Sequence, residues 1–116
     1  MKPNYEYAAI VYNCYDGDTF KAIVDLGFGV SIKQTFRLYG VDTPEMRGTE
    51  KDEGVIVRDF VRSKILNKDI IIITRKDKTG KYGRYLAEVY YHEDDIGQVH
   101  LANRLLSEGM AVEMKY

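Results

Sequence analysis

A mainly β fold carrying two helices, an α+β chain built on a small five-stranded barrel, is what this sequence predicts, and three observations predict it. Short runs rich in Tyr, Val, Ile and Thr recur between glycine-containing turns. Only two segments place apolar residues at helical spacing. The length, 116 residues, suits a single domain closing one hydrophobic core, so residues 1–116 are read as one unit.

Taken in order, Glu6 to Tyr15 reads as a strand ended by the turn signal Asp16-Gly17, and Thr19 to Leu26 as a second. Gly27-Phe28-Gly29 turns the chain into a third strand, Val30 to Leu38, where Ile32 and Phe36 belong to the apolar pattern. A polar stretch follows Pro44. Between Glu50 and Leu66 the residues Val57, Phe60, Val61 and Ile65 then mark a helix ending near Asn67. The β-branched block Ile70 to Thr74 and the run Tyr85 to Tyr91 make strands four and five. Leu101, Ala102, Leu105 and Leu106 lie on a second helical stripe, which Gly109 would terminate from the position just past the helix end. The tail after Ala111 is too short to assign. The order β-β-β-α-β-β-α fits a barrel of the oligonucleotide/oligosaccharide-binding type.

Composition removes several functions. A net charge of −1 and a pI near 6.1 argue against a protein that grips nucleic acid by bulk electrostatics. A nuclease with a bound divalent cation escapes that objection, because the metal neutralises local carboxylates. No apolar run approaches the ~18 residues of a membrane span, so no membrane partner is expected. The start lacks the layout of a signal peptide, which reads as a cytoplasmic chain or a mature secreted form. A lone cysteine, Cys14, cannot form an internal disulfide and reads as a small buried hydrophobe.

The chemistry gathers in three non-repetitive segments: Asp16-Gly17-Asp18-Thr19, Arg37 to Glu45, and Lys81-Tyr82-Gly83-Arg84. Asp18 and Asp42 flank strand ends that a meander can return to one sheet edge. Hard oxygen ligands without thiol or imidazole clusters favour Ca²⁺ or Mg²⁺ over zinc, and Thr43 could add a carbonyl oxygen. Arg37 and Arg84 supply two guanidinium forks, which match phosphate bidentately and could offset charge building on a five-coordinate phosphorus. Glu45 would orient or deprotonate a water. Lys81 and Tyr82 could hold a neighbouring phosphate. Each motif also has a plain reading: a turn at Asp16-Gly17, a capped helix start at Thr43-Pro44-Glu45, a loop into a strand at Tyr82-Gly83-Arg84. His92 and His100 have no metal-ligand spacing and are assigned no chemistry.

These segments, with Leu105-Leu106-Ser107-Glu108-Gly109-Met110-Ala111, resemble the staphylococcal-nuclease-like thermonucleases over most of the chain. The resemblance implies a Ca²⁺-dependent hydrolase acting as a monomer on single-stranded or frayed DNA and on RNA, leaving 3′-phosphorylated products. It implies Asp18, Asp42 and the Thr43 carbonyl as calcium ligands, with Asp16 behind them. It further implies Arg37 and Arg84 as transition-state arginines, Glu45 as the water-orienting acid or base, and Lys81 and Tyr82 as contacts to a terminal phosphate. Relative to better-known members the loop after Glu45 is short, and Gly80 replaces an acid that often precedes the Lys-Tyr-Gly-Arg element. The competing expectation is a catalytically silent module of the same fold that binds nucleic acid or protein.

Overall fold

The computed structural model describes residues 3–76 and 85–116. Strand β1 (Glu6–Cys14) buries Ala9, Val11 and Cys14, and a bulge between Val11 and Asn13 shifts its register against the next strand. That strand, β2 (Thr19–Gly27), turns Phe20, Ala22 and Val24 inward. β3 (Val30–Leu38) follows through a two-residue turn, Phe28-Gly29, in which both residues have positive φ, the hairpin geometry whose twist matches the strands. Only the far half of β3 sinks its side chains, Phe36 and Leu38, into the core.

After β3 the chain makes a two-residue strand, β4 (Val41–Asp42), and a single 3₁₀ turn at Gly48–Glu50, then enters α1 (Lys51–Ile65). Thr43-Pro44-Glu45 is therefore not a helix start, because the helix begins six residues further on at Lys51. α1 buries Gly54, Val57, Val61 and Ile65, one stripe at three- and four-residue spacing, against the barrel. Its Arg62 donates two hydrogen bonds to the Cys14 carbonyl, from Nε at 3.1 Å and Nη2 at 2.9 Å, tying the helix to the end of β1.

β5 (Asp69–Lys76) pairs antiparallel with β1, and β6 (Tyr85–Glu93) pairs antiparallel with β5. β6 divides its other edge. Its first residues run parallel to β3, Phe36–Leu38 against Tyr85–Ala87, while its last pair with β7 (Gly97–His100). The β3–β6 pairing joins the two ends of the order β3-β2-β1-β5-β6 and closes a five-stranded barrel, which removes most of the edges an open sheet would expose. Val11, Leu38, Ile72 and Val89 of the strands share one buried core with Val61 and Ile65 of α1 and with Leu101 and Leu105 of the second helix.

α2 (Leu101–Ser107) begins where His100 Nδ1 accepts the Asn103 N–H. It ends as expected at Gly109, whose φ is 70°. Gly109 N–H donates to Leu106 C=O and Met110 N–H to Leu105 C=O, the paired bonds of a Schellman end. The tail then forms β8 (Val112–Glu113), antiparallel to β4. Thus the five long strands and both helices lie where the sequence places them, and β4, β7 and β8 are additions. Those three are two to four residues long, too short to show a periodicity.

Candidate functional site

The Asp16 to Thr19 turn is built by its first side chain. Asp16 Oδ1 accepts the N–H groups of Asp18 (3.0 Å) and Thr19 (2.7 Å), folding the four residues into an Asx-type turn. Burial pushes the Asp16 carboxyl up to about 7, and the hydrogen bond and charge of Asp18 push the same way against those two backbone donors. The turn is pinned to the barrel wall because Leu38 N–H donates to the Asp18 carbonyl at 2.7 Å. Thr19 in turn lies opposite Arg37 in the β2–β3 ladder.

Asp18 is 5% exposed, and a buried carboxylate needs partners. It has three. Thr43 N–H donates to Oδ2 at 3.2 Å, Thr19 Oγ1 donates to Oδ1 at 3.3 Å, and Arg37 Nη2 stands 3.6 Å from Oδ2. The same Nη2 lies 3.1 Å from Asp42 Oδ1. One guanidinium nitrogen thus touches both carboxylates that the sequence reading pairs, although 24 residues separate them in the chain. Strand β3 delivers Arg37, β4 delivers Asp42, and the preceding turn delivers Asp18.

Two glycines make this closeness sterically possible. A Cβ at Gly17 would stand 2.6 Å from Val57 Cγ1 and 2.9 Å from Thr43 Oγ1. A Cβ at Gly54, in the first turns of α1, would run into the Glu45 carbonyl oxygen and lie 2.8 Å from its carbon. The helix therefore receives the Pro44-Glu45 backbone directly on its surface, which fixes where Glu45 starts. Sequence reasoning took Gly17 as a turn residue and passed over Gly54. A glycine on the buried stripe of an otherwise regular helix was the available signal.

Asp16, Asp18, Arg37, Asp42, Thr43 and Glu45 line one cleft of about 210 Å³. The Glu45 side chain is mostly exposed, and its Oε2 sits 3.7 Å from Arg47 Nε. Larger cavities exist, including one of about 780 Å³ by Tyr91 and Glu93, where Glu93 is paired with Lys64 and Arg104. Lys81, Tyr82 and Arg84 lie outside the described residues. His92 meets Asp94 at 3.4 Å and His100 meets Glu88 at 3.3 Å, both away from the cleft. Cys14 is buried as expected, and burial pushes its thiol up to about 11.

The donor set of the cleft is hard oxygen, the kind that calcium takes. Among the described residues, no group of three or more His, Cys, Asp and Glu side chains gathers as a ligand set. A cation here would therefore draw on two carboxylates, backbone carbonyls and water. Thr43 Oγ1 is buried with no hydrogen-bond partner among the described residues, in a residue that lines the same cleft. The oxygen donors present are of the kind a partly hydrated divalent cation takes.

No curated protein matched this sequence. The family model described as staphylococcal nuclease homologue matches residues 35–116, which takes in the end of β3 with Arg37, the Asp42 to Glu45 segment, both helices and the tail. The match begins after the Asp16 to Thr19 turn, yet the hydrogen bonds from Leu38 and Thr43 build that turn into the same cleft. By fold and by this match, the chain belongs to the staphylococcal nuclease homologue family.

Proposed function

We propose that this chain is a Ca²⁺-dependent nuclease hydrolysing phosphodiester bonds of DNA and RNA. The observation that carries the reading is Arg37 bridging Asp18 and Asp42 at the wall of a cleft that also holds Glu45. Asp18, Asp42 and the Thr43 carbonyl would hold the cation, whose chemistry when bound is to draw charge from a phosphoryl oxygen. With the two carboxylates engaged there, the Arg37 guanidinium would be free to pair with phosphate, for which its fork is suited. Glu45, whose carboxylate is mostly exposed beside the cleft, accepts a proton from the attacking water. The new bond is water oxygen to phosphorus. The bond broken is phosphorus to the 5′ oxygen, which takes a proton from solvent water as it leaves and gives a 3′-phosphorylated product. Arg84 is assigned as the second arginine, and Lys81 and Tyr82 as contacts to a terminal phosphate. Single-stranded DNA and RNA incubated with calcium should be cut, and chelator should stop the cutting. Failure to cut either polymer would sink the proposal.

One feature favours a second reading, a silent binding module of the same fold. Arg37 already satisfies both carboxylates, and Glu45 faces Arg47. Stoichiometric binding of an oligonucleotide, indifferent to chelator and without turnover, would select it.

A further inference from the structure

The outer face of β1, β2 and β3 begins at the cleft and runs away from it. Phe20, Ala22 and Val24 of β2 point into the core, so Thr19, Lys21 and Ile23 point out. Each stands in a cross-strand row. Arg37 pairs with Thr19, Thr35 with Lys21, and Lys33 with Ile23, while on the other side Asn13 pairs with Lys21 and Ile10 with Ile23. The first row is the wall of the cleft, and the next two carry the exposed Lys21 and Lys33. Successive rows lie roughly 7 Å apart, the rise of two strand residues. A chain of net charge −1 thus sets a cation in each of three rows and no acid in any of them. Asp25 comes one row further out, and Asp69 lies across on β5. Among the described residues neither lysine meets a carboxylate, and Lys33 Nζ stands 5.6 Å from the centre of the Tyr12 ring. Lys21 has no edge to blunt, because β2 is flanked by β1 and β3. The ground beside the lysines is apolar, with Tyr12, Ile10 and Ile23 all exposed, and the exposed Tyr15 stands at the cleft itself.

We infer that this face is a track for single-stranded nucleic acid, holding the strand on one side of the phosphodiester that sits in the cleft. Lys21 and Lys33 pair with the phosphates that follow, and Tyr15 and Tyr12 offer their rings to bases. Unpaired cations beside aromatic and aliphatic surface match a polymer that presents phosphates along one side and flat base faces along the other. Continuity fixes the occupant, since the row of Arg37 belongs both to the track and to the cleft. A duplex would keep its base faces inside the stack, out of reach of these rings. The local concentration of cations also answers the objection from net charge, which concerns the chain as a whole. The inference rests on reading the cleft as a phosphodiester site but not on turnover, so binding in the presence of chelator tests it.

Nitrogen-15-labelled protein titrated at low salt with oligothymidylate of about eight nucleotides should show shifted amide resonances at Asn13, Lys21, Lys33 and Thr35. A thymidine dinucleotide should shift only resonances around the cleft. Lys21→Gln combined with Lys33→Gln should weaken binding of the longer strand about 10-fold and leave the dinucleotide unchanged. The slope of log affinity against log salt should fall by roughly 0.7 for each lysine removed. Resonances of the free variant that move only beside the two substitutions would establish that its fold is intact. Shifts confined to the cleft with the longer strand would overturn the inference, as would an unchanged affinity in the double variant. Equal shifts from oligoglutamate would also overturn it, by reducing the face to plain charge. The expected binding without any cleavage under calcium would support the track and strike the nuclease reading alone.

Discussion

Arg37 holds two carboxylates with one nitrogen, and each of the three groups depends on the others. Asp18 is buried and takes hydrogen bonds from Thr43 and Thr19, while the largely exposed Asp42 meets the same Arg37 nitrogen that stands beside Asp18. Arg37→Ala should lower cleavage a hundredfold to a thousandfold, about the cost of removing one oxyanion donor. Arg37→Lys should recover little, since an ammonium point charge cannot fork onto phosphate. Initial rates on single-stranded DNA would decide it, and full activity in either variant would remove Arg37 from the mechanism. Gly54 is the other decisive residue. Gly54→Ala forces a methyl into the Glu45 carbonyl and should cost about 1–3 kcal/mol of stability despite alanine's better helix propensity. Thermal melts would measure that loss, and an unchanged or raised Tm would show that the Pro44-Glu45 segment yields easily.

Two helices must be held at the right distance from the barrel for these residues to meet, and one side chain links them. Glu93, at the end of β6, accepts from Lys64 of α1 at 2.9 Å and from Arg104 of α2 at 3.0 and 3.1 Å. The hydrogen bond from Lys64, followed by the bonds and charge of Arg104, holds its carboxyl below the ordinary carboxylate range. A depressed folded value means that the clamp stabilises at neutral pH, where the unfolded group is already ionised. The contribution is lost as pH falls below about 4.5 and through the lower folded value. Glu93→Gln should therefore melt earlier than the parent at pH 7, and the two curves should converge in strong acid. A gap in Tm that stays constant down to pH 3 would show that the clamp is not electrostatic. At the same scale β8 braces β4, with Met114 N–H donating to Gly40 C=O at 2.9 Å, so the C-terminal strand supports the one that carries Asp42.

For the whole molecule, a cation that binds only the folded cleft must raise stability by mass action. At a hundredfold excess over Kd that gain is about 2.7 kcal/mol, and in a domain of this size it moves Tm by roughly 10 °C. Calorimetric scans with calcium and with chelator should differ by that order, and Asp18→Asn should abolish the difference. Identical scans for the parent protein would remove calcium from the cleft, whatever the activity assays gave. The barrel supplies the rigidity the cleft needs, because closing β3 onto β6 fixes Arg37 opposite Leu86 as well as Thr19.

The local pattern alone determined a good deal. Alternating apolar residues set β1 to β3, β5 and β6, the Val57-Val61-Ile65 spacing set α1, and Gly109 set the end of α2, because each depends on neighbours a few residues away. It also brought Asp18, Arg37 and Asp42 under suspicion through their residue types. Only the tertiary structure decided that one Arg37 nitrogen meets both carboxylates, that Gly54 lets the Glu45 backbone rest on α1, and that the tail pairs with β4. These are contacts between distant segments, set by how β3 closes on β6 and how α1 crosses β1, and no sequence periodicity encodes a distance across a closed barrel.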